Sequence, residues 1–222
     1  VRTGGDGPSG ISTILIEKGT PGLSFGAEER KMGWNAQPTR QVIMDGCRVP
    51  VANRIGAEGI GFRIAMAGLD GGRLNIAACS LGGAQSALEK SLAYMNERTA
   101  FGRAIGEFQG LRFKLADMYR DIELGRSILY RACATANPFP DPYQAANAKI
   151  FCNEMSVRVT SEAIQVHGGY GFTDEYPVSR FFRGTRYGSL GGGTSETLRN
   201  FVGRKVVEDM DLASGLFGMN MF

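Results

Sequence analysis

The most regular stretch of this chain is residues 108–132, FQGLRFKLADMYRDIELGRSILYRA. Its apolar residues recur at spacings of three, four or seven, which place them on one face of an α-helix. They are Phe108, Leu111, Leu115, Met118, Ile122, Leu129 and Ala132. This alternation predicts a helix of about 25 residues that buries one stripe against neighbouring helices.

Similar patterns flank this stretch on both sides. Before it, the apolar face contains Leu74, Ala78, Leu81, Leu88, Leu92 and Met95; after the Pro-rich break 137–142, it contains Ala145, Ala148, Cys152, Met155, Val159 and Val166. A last helix is predicted from Thr194 to about Asp209, with a hydroxyl cap and an acid in its first turn. Long amphipathic helices joined by short loops predict an antiparallel helical bundle.

The first 55 residues show a different pattern, with short β-rich runs between turn signals. The predicted strands are Ile11–Glu17, Leu23–Phe25 and Gln41–Met44, the last extended by Cys47–Pro50. The chain is therefore expected to be mainly α, a helical bundle (residues 56–222) preceded by part of a β-sheet domain (residues 1–55). Three short strands need partners, and the chain opens with Val1, so we expect a fragment or a processed chain.

Composition excludes several classes of protein. The 25 basic and 22 acidic residues give a net charge of +3, too mild and too evenly spread to indicate a nucleic acid partner. No apolar run is long enough to span a membrane. Four scattered cysteines and one histidine argue against a metal site and favour an intracellular compartment.

Glycine is unusually abundant, with 32 residues, and three Gly-rich stretches break the helical pattern. They are Asp70–Arg73, His167–Gly171 and Gly191–Ser195. Each is more often a helix cap or tight turn than a ligand site, although a glycine run that opens a helix also leaves bare amides for an anion. His167 is more often a structural group than a base, and Arg98 would ordinarily be a solvated cation at a helix end.

Four motifs, in order along the chain, resemble those of the acyl-CoA dehydrogenases. They are Glu97–Gly102 with Phe108–Gln109, then Leu115–Met118, Gln165–Gly171 and Gly193–Glu196. Gly19–Phe25 and Gly33–Arg40 look most like the isobutyryl-CoA dehydrogenase branch. The resemblance covers the later half of the family's chain, which implies the end of its middle β-domain followed by its C-terminal helical domain.

The resemblance implies FAD as cofactor and an acyl-CoA as substrate. FAD contacts would come from Arg98, Phe101, Phe108, Gln109, Gln165, Val166, His167, Gly168, Gly169, Thr194, Ser195 and Glu196. The acyl-CoA pocket would be lined by Asp70, Gly71, Gly72, Arg73 and Arg204. The family also implies a homotetramer whose subunits share the FAD site, and electron transfer flavoprotein as the electron acceptor. Its location would be cytoplasmic in a bacterium and the mitochondrial matrix in a eukaryote.

One position departs from the family's pattern. The carboxylate that removes the α-proton usually stands immediately before Gly-Thr, and that position is Gly192 here. A second subset of the family places the base at the position matching Gly72, again a glycine. Asp70 lies two residues from that alternative, and Glu196 matches a FAD contact. The resemblance therefore leaves two readings open, an active dehydrogenase and a non-catalytic subunit that holds FAD or acyl-CoA or completes another chain's site.

Overall fold

Five α-helices dominate the chain in a computed structural model that describes residues 1–208. The chain forms two compact units with the break between Leu69 and Asp70. The predicted boundary between residues 55 and 56 precedes helix α1, Gly61–Glu97, whereas the break falls within it. No helix of the described residues is long and apolar enough to cross a bilayer.

The first unit contains two small antiparallel ribbons. Strand β1 (Thr13–Ile14) pairs with β4 (Arg54–Ile55), and β2 (Leu23–Phe25) pairs with β3 (Val42–Met44). The predicted strand Ile11–Glu17 is therefore too long. Its partner β4 has only two residues, because Gly56, at φ +77°, turns the chain immediately after them. The predicted extension Cys47–Pro50 is not a strand, and the sequence pattern missed β4.

The predicted helical bundle is confirmed. After α1, a short hairpin (β5, Thr99–Ala100; β6, Arg103–Ala104) leads to α2 (Gln109–Cys133) and α3 (Pro142–His167). Helix α4 (Val178–Arg186) follows, and α5 runs over Ser195–Glu208. The sequence pattern did not predict α4, and Asp209, where the last helix was expected to end, lies outside the described residues.

Helix α1 is longer than predicted because Gly71 and Gly72 lie inside it. Neither glycine has a positive φ, so the expectation that this stretch breaks the helix is wrong. Glycine costs helix stability of about 1 kcal/mol relative to alanine. The ion pair that joins Asp70 to Arg73 at 2.5 Å spans both glycines and helps to offset that cost.

The core of the second unit lies between α1, α2 and α3. The predicted stripes of α2 and α3 pack there, including the fully buried Ile122, Cys152 and Met155. The predicted face of α1 is partly wrong, since Ala78 and Leu92 are exposed. The predicted Leu81 and Met95 are buried, and the buried side of α1 also carries Ala77, Ala84 and Ala87. Small alanine side chains were a weaker signal than leucine, yet they permit close approach of neighbouring helices.

Candidate functional site

A cavity of about 460 Å³ forms where the ends of α1 and α3 meet. It brings together five of the residues expected to contact FAD. They are Arg98, Val166, His167, Gly168 and Gly169, which line the cavity with Tyr94, Ile105, Tyr170 and Thr173. We call this the Arg98 cavity.

The local sequence explains this arrangement. Helix α1 ends at Glu97, and the Arg98 N–H donates to the Tyr94 carbonyl at 2.8 Å. Helix α3 ends because Gly168 takes φ +61°, which glycine adopts without the steric cost of a side chain. Arg98 is exposed, and its guanidinium lies 5.8 Å from the Tyr170 ring centre. The exposed cation can therefore meet a phosphate brought by a ligand.

Stacked aromatic rings support one wall of the cavity. The Tyr94 and His167 rings stack with centroids 4.4 Å apart, and Tyr176 meets both edge-on. Because a carbonyl only accepts, His167 Nδ1 carries a proton and donates it to Ala163 O at 2.8 Å. Burial lowers the pKa of His167, against the opposing effect of that hydrogen bond. His167 is thus a neutral, packed ring at pH 7, as the structural reading expected.

Four more residues expected to contact FAD lie outside the cavity, on the hairpin β5–β6, at the start of α2 and on α3. Phe101 is 95% exposed at φ +52°, and its ring meets that of Phe108 edge-on at 6.1 Å. Gln109 begins α2 and is exposed, as is Gln165 on the last turns of α3. These four residues do not line the Arg98 cavity.

The second candidate region is the segment Gly191–Gly193, which we call the glycine segment. Gly192 and Gly193 have φ of +70° and +99°, values that side chains disfavour. Arg73 Nε donates to the Gly192 carbonyl at 3.4 Å, and Lys149 Nζ donates to the Gly193 carbonyl at 2.6 Å. Two cations, from α1 and α3, therefore hold successive peptide groups at the position where the sequence analysis expects the family's base.

Asp70 belongs to the same cluster through its ion pair with Arg73. Their side chains are 18% and 14% exposed. Burial raises the pKa of Asp70, although Arg73 opposes that rise. Gly71 and Gly72 lie between them on α1, whereas Arg204 is exposed on α5 and pairs with Glu208 at 3.6 Å. The structure thus unites Asp70 and Arg73 with Gly192, and pairs Arg204 elsewhere.

Both possible base positions have room for a side chain. A Cβ built on Gly72 or on Gly192 meets no atom within 4 Å. Gly191 differs, because a Cβ there would collide with the ring of Tyr187. A Cβ could therefore be added at either position without a clash, with backbone strain only at Gly192.

The start of α5 presents the remaining predicted FAD residues. The Thr194 hydroxyl caps the helix by accepting the Thr197 N–H at 3.2 Å. The pKa of Glu196 is lowered by its own backbone N–H and, to a smaller extent, by the Thr194 hydroxyl. Ser195 is 2% exposed, and its Oγ has no hydrogen-bond partner among the described residues. Such an orphaned hydroxyl at a helix N-terminus fits a polar ligand group such as those of FAD.

Sequence reasoning missed the supporting residues of the glycine segment. Lys149 and Asn153 are both 0% exposed, one turn apart on α3. The available signal was two polar residues on the face that carries Ala145, Ala148 and Cys152. Within the described residues, no group of three or more His, Cys, Asp or Glu side chains is arranged to hold a metal ion.

Comparison with known proteins decides the family. Residues 59–207 match the family model described as acyl-CoA dehydrogenase, C-terminal domain. This chain belongs to the acyl-CoA dehydrogenase family. It is 44% identical to mitochondrial isobutyryl-CoA dehydrogenase of Bos taurus over 211 residues, which are 94% of this chain and 50% of that protein.

Solved structures agree with the sequence comparison. Butyryl-CoA dehydrogenase from Megasphaera elsdenii superposes with a TM-score of 0.87 and 40% identity over 90% of this chain and 53% of that one. A structure from a study of the electron transferring flavoprotein of Acidaminococcus fermentans gives a TM-score of 0.88 and 42% identity, over 91% and 54%. The chain spans about half the length of the curated relatives it matches. Members of the family bind FAD.

Proposed function

We propose that the protein containing this chain is an FAD-dependent dehydrogenase of short acyl-CoA thioesters, branched chains included. The observation that carries the proposal is the cluster at Gly192, where Arg73 and Lys149 hold the backbone at the position expected to carry the family's base. The similarity to isobutyryl- and butyryl-CoA dehydrogenases supports the size of the acyl group. We thus extend the activity of these relatives to this chain.

In the proposed reaction, FAD would supply the acceptor for the hydride that leaves the β-carbon of the acyl group. Arg98 would hold the cofactor by its exposed guanidinium, and the start of α5 would hold it by the Ser195 hydroxyl, which is unpartnered within residues 1–208. We propose that the cofactor is shared between subunits of a homotetramer, since the exposed Phe101 and the outer face of the Arg98 cavity leave ring and cation surfaces for a second subunit. Electron transfer flavoprotein would reoxidise the cofactor.

The α-proton needs an acceptor within hydrogen-bond reach. Glycine at position 192 supplies none, and Asp70 is the carboxylate that the described contacts bring to Gly192, through Arg73. Burial raises the pKa of Asp70, the direction that strengthens a carboxylate as a base. Its ion pair with Arg73 would have to open before it accepted a proton.

A second function is favoured by the same glycine. With no carboxylate at position 192 or 72, the protein would bind FAD and acyl-CoA without oxidising the thioester, as a dehydrogenase-like binding or assembly subunit. The two functions differ in one observable, which is reduction of the bound flavin.

Anaerobic titration of the intact purified protein with isobutyryl-CoA separates the functions. Dehydrogenation bleaches the visible absorbance of the flavin in proportion to the thioester added. A perturbed spectrum without bleaching supports the binding subunit. A protein that binds neither FAD nor acyl-CoA contradicts both proposals. Butyryl-CoA and a long-chain acyl-CoA, titrated in parallel, test the proposed chain length.

A further inference from the structure

Lys149 takes part in no proton or hydride transfer of the proposed reaction, yet its side chain is fully buried on α3. Removing an ammonium group from water is costly unless it is well paired. Its hydrogen bond goes to a backbone carbonyl, that of Gly193, at 2.6 Å. Burial lowers the pKa of Lys149, with Arg73 next in effect, while Glu154 and Glu196 act in the opposite direction. That a buried cation donates to the Gly193 carbonyl indicates that the position of this carbonyl is important for the site.

Asn153, one turn after Lys149 on α3, makes an equivalent contact to a carbonyl that precedes the glycine segment. Asn153 is fully buried and donates from Nδ2 to the Gly188 carbonyl at 2.6 Å. Its Oδ1 accepts from the Ser80 hydroxyl of α1 at 2.6 Å, which fixes the orientation of the amide. The fit is tight, because a Cβ on Gly188 would lie 2.8 Å from Asn153 Cγ. Lys149 and Asn153 thus hold the two ends of residues 188–193.

We infer that Lys149 and Asn153 are positioning residues that set the backbone path of residues 188–193, and so place residue 192 whatever its side chain. The carbonyl of Gly188 is fixed by Asn153, and that of Gly193 by Lys149. Between them, Arg73 adds a longer contact to Gly192. The catalytic importance of this restraint rests on the proposed function, but the restraint itself can be tested without measuring any activity.

The segment's own amides provide that test. The N–H groups of Leu190 and Gly191 donate to the Tyr187 carbonyl at 2.9 and 3.0 Å, and the Leu198 N–H donates to the Thr194 carbonyl at 3.0 Å. Their exchange with solvent deuterium reports how often the segment opens. Loss of one hydrogen bond from a charged donor should raise local opening about 10-fold or more.

The experiment compares K149M, K149Q and S80A with the intact protein by hydrogen exchange and mass spectrometry of the peptides covering residues 187–198. We expect K149M to exchange about 10-fold faster there, and K149Q less so, because its amide still donates. S80A should loosen the Gly188 end through Asn153. The matched control is K114M, which removes a partly exposed lysine paired with Glu162 on the α2–α3 surface, and should leave these peptides unchanged.

Unchanged exchange of these peptides in folded K149M and S80A overturns the inference. If K149M does not fold, K149Q and S80A decide the result alone. In a G192E background, K149M should lower the rate of flavin reduction by isobutyryl-CoA about 10-fold while leaving acyl-CoA affinity within about 3-fold, the split expected of a positioning residue. If G192E itself is inactive, the proposed base position fails, whereas the exchange result still stands for or against the restraint.

Discussion

The Arg98 cavity and the glycine segment present ligand-facing groups in opposite ways. At the cavity, the side chains expected at the ligand are present, with an exposed guanidinium beside the stacked Tyr94 and His167 rings. At the glycine segment no side chain is present, and the backbone is held by Arg73 and Lys149 from other helices. Truncating a side chain should therefore weaken ligand binding at the Arg98 cavity, whereas adding a side chain should change the activity of the glycine segment.

The largest effect is expected from G192E. The position has open space for a Cβ, and the resemblance implies that the family's base stands there, so we expect the new carboxylate to accept the α-proton. General base catalysis is typically worth about 10²–10⁴-fold, and we expect a gain in that range in the rate of flavin reduction by isobutyryl-CoA, measured by anaerobic stopped-flow. The left-handed backbone, at φ +70°, should cost about 1 kcal/mol of stability.

The matched control for this gain is G192Q, which has the same shape and cannot accept the proton. Equal rates for G192E and G192Q would remove Gly192 as the base position. G72E provides the second comparison, since its site is also open and lies inside a helix. If G72E gains activity and G192E does not, the base belongs to α1 and the glycine segment is only a scaffold.

The next largest effect should be a loss at the cavity. R98A removes the exposed cation that we expect at the FAD pyrophosphate, and a charge-assisted hydrogen bond to phosphate is worth about 1.5–3 kcal/mol. FAD should bind about 10- to 100-fold more weakly, measured by fluorescence titration of the apoprotein, with R98K intermediate. R120A, which removes a surface guanidinium paired with Asp117 and Asp121, should leave FAD affinity unchanged.

The two regions also differ in how far the sequence predicted them. Helices α2 and α3 followed from apolar periodicity, because their buried stripes are long and regular. Resemblance then grouped residues of the Arg98 cavity that lie about 70 positions apart, such as Arg98 and His167. Helix α4 was missed, since nine residues give too short a pattern for periodicity.

The support of the glycine segment could not be read from the sequence. Lys149 reaches Gly193 across 44 residues, and Asn153 reaches Gly188 across 35. Periodicity places both polar residues on the buried face of α3 but does not name their partners. The partners are backbone carbonyls, whose positions depend on how the chain turns after α4. Local sequence carries no signal for such a contact.

A smaller effect separates two glycines of the cavity's own Gly-rich turn. A Cβ on Gly171 would lie 2.9 Å from Ile164 Cα, whereas a Cβ on Gly169 meets no atom within 4 Å. G171A should therefore lower the free energy of unfolding by about 1–3 kcal/mol, and G169A should change it by less than about 0.5 kcal/mol, both measured by urea denaturation. Similar losses for both variants would mean that backbone freedom, rather than close packing, selects glycine in this turn.

The smallest effect distinguishes the regions by the sign of their pH dependence. Burial holds the pKa of His167 below its ordinary value of 6.5, so its contribution to stability is complete above that pH and is lost as the pH falls through the folded-state pKa. At the glycine segment, the pKa of Asp70 is raised above its ordinary value of 3.8. Its contribution is complete below that pH and is lost as the pH rises through the folded-state pKa.

Urea denaturation of H167Q and D70N across pH 4–8 tests this opposition. The sequence contains one histidine, so H167Q should flatten the decline of stability just below about pH 6.5, by at most about 1.4 kcal/mol per pH unit for a single proton. D70N should change the free energy of unfolding only at the acidic end, where it removes the contribution of Asp70, which declines as the pH rises. If both variants shift the profile in the same direction, at least one of the two regions is not buried as described. If H167Q leaves the profile unchanged, the Tyr94–His167 stack opens to water, and the cavity is less preformed than the glycine segment.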